Sequence, residues 1–273
     1  MSKALPTTRI AGLDITTLSR SDIAQVVLAD HQDQQKSGFR LPPKLMFSVN
    51  GQGVSLLATD PEFLPSMLRA DYLHADGQSI VFASRLLTKR PILERSATTD
   101  LFHDIARVAE DNNLSFFVLG GTRDINPKAV RAIQRLYPKI RIVGNRHGFE
   151  SDKRVYLEAI RKSRPDIVWL AFGKPKQEYL AEWLANHLTG VTLIKPCGGL
   201  YEFLTDTSGN KRAPELMQRL GLEWLHRAWL EPRRLLWRYL STSAIAITMI
   251  LSHAVVDAFR PQRPQVPKEA DLP

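Results

Sequence analysis

Short apolar runs that close on turns, separated by helical patterns, constrain this chain more than any other feature of its sequence. The runs are Leu45–Asn50, Leu114–Leu119 before Gly120-Gly121, Ile140–Val143 before Gly144, Ile167–Phe172 before Gly173, and Val191–Ile194. Their length and flanking turns predict strands. Between them, Asp100–Asp111, Pro127–Leu136 and Lys153–Ser163 carry helical patterns at the spacing of crossover helices between parallel strands. The alternation predicts an α/β fold, a Rossmann-like layered parallel sheet. In such a sheet ligands bind at the carboxyl ends of the strands. Here those ends carry Asn50, Gly120-Gly121, Gly144 and Gly173-Lys174-Pro175-Lys176-Gln177. Each glycine lets a backbone approach a bulky ligand, and each equally suits a tight strand-to-helix turn, so taken singly both readings stay open.

The texture changes at about Tyr201. Arg212, Arg219, Arg227, Arg233, Arg234 and Arg238 are interleaved with Trp224, Trp229, Trp237 and Tyr239. Residues 1–200 are therefore read as the α/β core, 201–259 as a C-terminal helical, membrane-associating appendage, and the Pro-rich 260–273 as a disordered tail. Within the appendage, Ser241–Val256 carries no formal charge. It is shorter than the roughly 20 apolar residues that span a bilayer, and Ser, Thr and His dilute it, so a spanning helix is the lesser alternative. A helix lying in the interface, with the arginines on lipid phosphates and the tryptophans at headgroup depth, accounts for both compositions. Packing of that helix on the core or on another subunit is the competing arrangement.

The net charge of +9 points to an anionic partner without separating nucleic acid, anionic lipid and nucleotide diphosphate. With Cys197 as the single cysteine, no intramolecular disulfide or cysteine metal cluster can form, which suits a reducing cytoplasm. The segment Met1–Arg9 lacks the apolar core of a secretory signal, so export is not expected. No GxGxxG follows a strand, no GxxxxGK precedes Ser or Thr, and the histidines show no HExxH or other ligand spacing. Dinucleotide, ATP and zinc readings lose their support, and His103, His147 and His187 read as surface or structural residues. Asp76-Gly77 is different, because it lies between apolar runs and sets a carboxylate on a tight turn at the edge of the core. An isolated Asp-Gly is most often an ordinary turn, so its sequence neighbours must decide.

Those neighbours resemble the WecG/TagA/CpsF family of bacterial glycosyltransferases, glycosyltransferase family 26. The resemblance runs from about Lys44 to Tyr239. It is carried by Ser48-Val-Asn50, Asp76-Gly77, Glu94-Arg95, Leu119-Gly-Gly121, Tyr137-Pro138 with Ile142-Val-Gly144, and Pro165-Asp166 followed by Gly173–Glu178. The most specific blocks are Lys211-Arg-Ala-Pro214, Gly221–Arg227, Glu231-Pro-Arg-Arg234 and Arg238-Tyr239. Departures are Ser48 for Thr, Ser79 for a second glycine, Ala97-Thr98 in the turn after Arg95, and Cys197–Glu202 as a variant of a Gly-Val-Gly-x-x-Phe-Asp pattern.

The resemblance implies inverting transfer of an N-acetylmannosamine-type sugar, or a related hexose or uronic acid, from a UDP-sugar to a polyprenyl-diphosphate-linked saccharide. It implies no cofactor beyond the UDP-sugar donor and no obligatory metal. Single displacement needs one base to take the acceptor proton, and Asp76 fits that role. Asn50 is assigned to orient the base or hold a sugar hydroxyl, and Arg95 to bind the sugar or diphosphate. Ser48, Gly121, Gly144, Gly173 and Gln177 are assigned to substrate binding. Arg212, Arg227, Arg233 and Arg234 are assigned to the diphosphate, where forked guanidinium donors replace a divalent ion. The expected place is the cytoplasmic face of the inner (plasma) membrane, held peripherally on anionic lipid, with no nucleic-acid partner and with a homo-oligomer left open. The alternative is a non-catalytic module that binds anionic lipid or nucleic acid through the basic, Trp-rich end. A nicotinamide-dependent oxidoreductase rests on fold analogy alone.

Overall fold

A computed structural model describes residues 5–205 and 232–258, together with Pro214, Met217 and Trp229. Arg212 and Arg227 lie outside the described residues, and so do the side chains of Arg233 and Arg234 and the segment 260–273. The chain opens with an antiparallel hairpin of β1 (Thr7–Ile10) and β2 (Leu13–Thr16). Helix α1 (Arg20–Lys36) follows and starts on a capping box, in which the Ser19 hydroxyl accepts from the Asp22 N–H and the Asp22 carboxylate reaches back to the Ser19 N–H.

The body is a six-stranded, wholly parallel sheet in the order β4-β3-β8-β7-β5-β6. Its strands are β3 (Lys44–Val49), β4 (Tyr72–Ala75), β5 (Ser115–Gly120), β6 (Arg141–Arg146), β7 (Ile167–Ala171) and β8 (Leu193–Pro196). Helices α2 (Gly51–Thr59), α3 (Phe63–Leu68), α4 (Gln78–Leu87), α5 (Thr98–Asp111), α6 (Ile125–Leu136), α7 (Arg154–Ser163), α8 (Lys176–Ala185) and α9 (Leu200–Thr205) connect and cover it. The predicted parallel α/β sheet is present, with each predicted strand found within a few residues of its expected bounds.

Side chains alternate across the strands because successive residues point to opposite faces. Leu45, Phe47, Val49, Phe117, Leu119, Val168, Leu170 and Ile194 face one layer with α2, α3, α4, α7 and α8. Met46, Phe116, Val118, Ile167, Trp169 and Leu193 face the other, with α1, α5, α6 and α9. Nearly continuous apolar strands are what a parallel sheet buried on both faces requires. Tyr201, on the appendage side of the expected boundary, is wholly buried in this second layer and donates its hydroxyl to the Trp169 carbonyl at 2.9 Å.

The last helix, α10 (Pro232–Ala258), lies against α2 and the β1–β2 hairpin. Ala246, Met249 and Ile250 pack into the core, while Ile247, Leu251 and Val255 stay exposed. Arg9 pairs with Asp257 at 3.3 Å. Of the arrangements left open for Ser241–Val256, packing on the core is realised along one stripe of the helix. No helix among the described residues is long and apolar enough to cross a membrane.

Candidate active site

The chain leaves β3 into α2 on one face of the sheet and leaves β8 into α9 on the other. These two strands are neighbours. Their carboxyl ends form a switch point, where open α/β sheets take their ligands in a crevice. Asn50 stands at the end of β3, Asp76 at the end of the adjacent β4, and Gly198 just beyond β8.

Asp76 is held from two sides. The Asn50 side-chain amide donates to Oδ2 at 3.1 Å, and the Thr98 N–H donates to Oδ1 at 2.7 Å. Thr98 opens the 14-residue α5, so the carboxylate occupies the positive end of that helix. The backbone fixes the same relation: the N–H groups of Asp76 and Gly77 both donate to the Val49 carbonyl, at 2.9 and 3.2 Å. Asn50 also caps α2, its amide oxygen accepting from Gly53 N–H at 3.0 Å. A carboxylate has about four acceptor positions, and two are used among the described residues, so the half-buried Asp76 keeps acceptor capacity.

Arg95 lies in the connection between α4 and α5, next to residues that are fixed in place. Glu94 accepts from the backbone and side chain of Arg20, both at 2.9 Å. The Ser96 N–H donates to the Ala75 carbonyl at 2.8 Å, immediately before Asp76. His74 points its Nδ1 at the Ser96 carbonyl at 2.8 Å. A carbonyl only accepts, so this nitrogen carries the ring proton. Burial, with the Lys195 ammonium second, holds the His74 pKa well below the ordinary range, and the ring is neutral.

Two lysine side chains are buried near these residues. Lys174 donates to the Ser48 carbonyl and to Glu178 Oε1, each at 2.7 Å, with its side chain only 6% exposed and Glu178 fully buried. Lys195 is completely buried, and its Nζ donates to the Pro196 carbonyl at 3.0 Å. Among the described residues no carboxylate lies within ion-pair distance of it. Burial lowers its pKa to about 8, and the Asp76 carboxylate is the first charge opposing that fall. A desolvated ammonium beside a candidate base is a physical marker of a functional site. The sequence reading assigned no role to Lys174, Lys195 or His74. Lys195 had left a trace, a charged residue directly after the apolar run Val191–Ile194.

The predicted site residues divide into groups. Asn50 and Asp76 touch, and Arg95 lies one residue from the Ser96 anchor. Gln177 is buried and works as a staple: Oε1 accepts from Gly173 N–H at 3.2 Å and Gly198 N–H at 3.0 Å, joining the ends of β7 and β8, while Nε2 donates to Glu178. Ser48 is buried in β3 and offers its carbonyl to Lys174. Gly121 ties the loop after β5 to Ala171 and to Gly148.

Gly144 is not at the crevice. It lies inside β6, at the far edge of the sheet, rather than after a strand that ends at Val143. A Cβ there would meet the Phe117 ring at 2.6 Å, so this glycine makes room for a core aromatic where the β5–β6 register shifts. Among the described residues no three His, Cys, Asp or Glu side chains gather as metal ligands. The assembled chemistry is one doubly oriented carboxylate, backed by two buried cations, at the mouth of a switch-point crevice.

The sequence profile described as "Glycosyl transferase WecG/TagA/CpsF family" matches residues 8–259. A protein of Bacillus subtilis (strain 168), named N-acetylglucosaminyldiphosphoundecaprenol N-acetyl-beta-D-mannosaminyltransferase, is 30% identical over 239 residues, covering 86% of this chain and 88% of its own length. Proteins of the same name from Bacillus spizizenii (strain ATCC 23059 / NRRL B-14472 / W23) and Staphylococcus aureus (strain NCTC 8325 / PS 47) are 30% and 29% identical, over 71% and 69% of this chain and 73% and 72% of theirs.

Proposed function

Because this chain belongs to the WecG/TagA/CpsF family of glycosyl transferases, we propose that it moves an N-acetylmannosamine-type sugar from UDP onto a polyprenyl-diphosphate-linked saccharide, with Asp76 as base. The observation that carries the reading is the Asp76 carboxylate, fixed by Asn50 and Thr98 at the crevice between β3 and β8. The names of the relatives support a lipid-linked N-acetylglucosaminyl diphosphate as acceptor.

In the proposed step the acceptor hydroxyl attacks the anomeric carbon from the face opposite UDP. Its proton passes to Asp76, the new C–O bond forms, and the bond to the UDP oxygen breaks with its electron pair leaving on the diphosphate. The result is inversion in one displacement. Charge developing on UDP is met by arginine donors, for which Arg95, Arg212, Arg227, Arg233 and Arg234 are the candidates. In this reading no divalent ion is required, and cell-surface polysaccharide synthesis at the cytoplasmic face of the membrane is the setting. The exposed stripe Ile247, Leu251 and Val255 on α10 supports peripheral attachment to that surface.

The test is a screen of UDP-sugars for UDP release with a short-chain lipid-linked acceptor, run on the wild type and on Asp76→Asn. The variant should fold, bind donor and lose transfer by about 10²–10⁴-fold. Wild-type rates in Asp76→Asn would remove the base; no release with any UDP-sugar would remove the donor class.

A further inference from the structure

The helix that leaves the candidate base carries its own exposed apolar surface. Helix α4 begins at Gln78, two residues after Asp76, and buries Ile80, Val81, Ala83 and Ser84. Its other side exposes Phe82 (44%), Leu86 (83%) and Leu87 (43%), and the following turn exposes Leu93 (74%). Phe82 and Leu86 stand one helical turn apart on one face. Arg85 donates to the Leu93 carbonyl at 3.0 Å and so brings Leu93 back beside the helix. Among the described residues the main partners of α4 are β1 and β4.

Along α4 and its following turn the charges all have one sign, and the next residue, Glu94, is engaged by Arg20. Arg85, Lys89 and Arg90 are exposed among the apolar residues, and no acid occurs from Gly77 to Leu93. An apolar centre rimmed by cations matches a bilayer with anionic headgroups, where the side chains enter the acyl boundary and the cations meet phosphate. We propose that α4 and its following turn form a membrane-docking surface that seats the Asp76 crevice at the headgroup layer. The inference rests on the lipid-linked acceptor proposed above. It adds to α10 a second contact, on the helix that directly follows the base: Leu86 lies eight residues, about 12 Å, along α4 from Gln78.

The experiment is flotation of the full chain with phosphatidylglycerol–phosphatidylethanolamine vesicles, beside UDP release on a water-soluble short-chain acceptor and light scattering for oligomeric state. The wild type should float. Leu86→Glu should weaken vesicle binding by about tenfold or more, and Lys89→Glu with Arg90→Glu should weaken it and flatten its salt dependence, while both keep activity on the soluble acceptor. If Leu86→Glu floats like the wild type, α4 is not the docking surface. If it instead turns a dimer into a monomer with unchanged flotation, the patch belongs to a second copy and the proposal fails. A wild type that does not float overturns the membrane setting itself, whatever the variants do.

Discussion

Asn50 uses both ends of its amide at once, accepting from the Gly53 N–H at 3.0 Å and donating to Asp76 Oδ2 at 3.1 Å. One side chain thus starts α2 and aims the candidate base. The substitution Asn50→Asp separates the two duties. A carboxylate still caps the helix, so stability should stay within about 1 kcal/mol of wild type by denaturant unfolding. Asp76 keeps the Thr98 N–H but loses the Asn50 amide and gains a repelling neighbour, so kcat should fall by about 10²-fold or more. Transfer at the wild-type rate would take the pair out of the mechanism.

Lys174 and Glu178 form a buried pair, and a buried pair is costly to break from one side. Lys174→Met leaves a fully buried carboxylate without its cation and should destabilise the fold by about 3–5 kcal/mol. The double variant Lys174→Met with Glu178→Met should recover most of that loss. Urea unfolding of the two singles and the double gives the coupling, and strict additivity would show that the pair carries no mutual energy.

Lys195 gives a pH signature whose sign follows from linkage. Unfolded, its ammonium titrates near the ordinary value of 10.5; folded, it releases its proton near pH 8. Between those values the unfolded chain binds more protons, so this group's contribution to stability rises with pH through that window. Below the window the buried charge costs about 3 kcal/mol. The stability advantage of Lys195→Met over wild type should therefore be greatest at pH 7 and shrink as pH rises from about 8 toward 10.5. A constant difference across that range would contradict a desolvated ammonium.

Two glycines at strand ends should respond unequally to alanine. Gly120 has φ of +106°, and a Cβ there would lie 2.3 Å from the Ala171 carbonyl oxygen. Gly173 has φ of +73° with nothing within 4 Å of such a Cβ. Gly120→Ala must move a neighbouring strand and should cost about 3 kcal/mol or more. Gly173→Ala meets only backbone strain, about 1–2 kcal/mol. Thermal unfolding that ranks them the other way would contradict the close approach of Gly120 to Ala171 in the β5–β7 pair.

The sheet was legible because its strands are apolar on both faces and stop at turns, a signal that survives without knowledge of neighbours. Strand order carries no such local mark. Gly144 illustrates the loss: a glycine after an apolar run reads as a turn, yet β6 continues through it because the Phe117 ring needs the space. Asn50 and Asp76 were legible only through resemblance, since their contact joins residues 26 apart. Lys195 and His74 went unnoticed because a charged or polar residue in a strand gains meaning only when its burial is known. For α10, an uncharged stretch could not choose between bilayer and core. The structure divides it by stripe, Ala246, Met249 and Ile250 inward and Ile247, Leu251 and Val255 outward.

The Arg9–Asp257 pair brings the first hairpin and the last helix within 3.3 Å of each other. The two ends of the described fold thus meet, and the order of the elements along the chain is separable from their order in space. A circular permutant that links these ends and opens the polypeptide at the exposed turn of Ser151 would keep every strand beside its present neighbours. Removing α10 instead would strip the cover from α2, the helix whose first turn Asn50 holds.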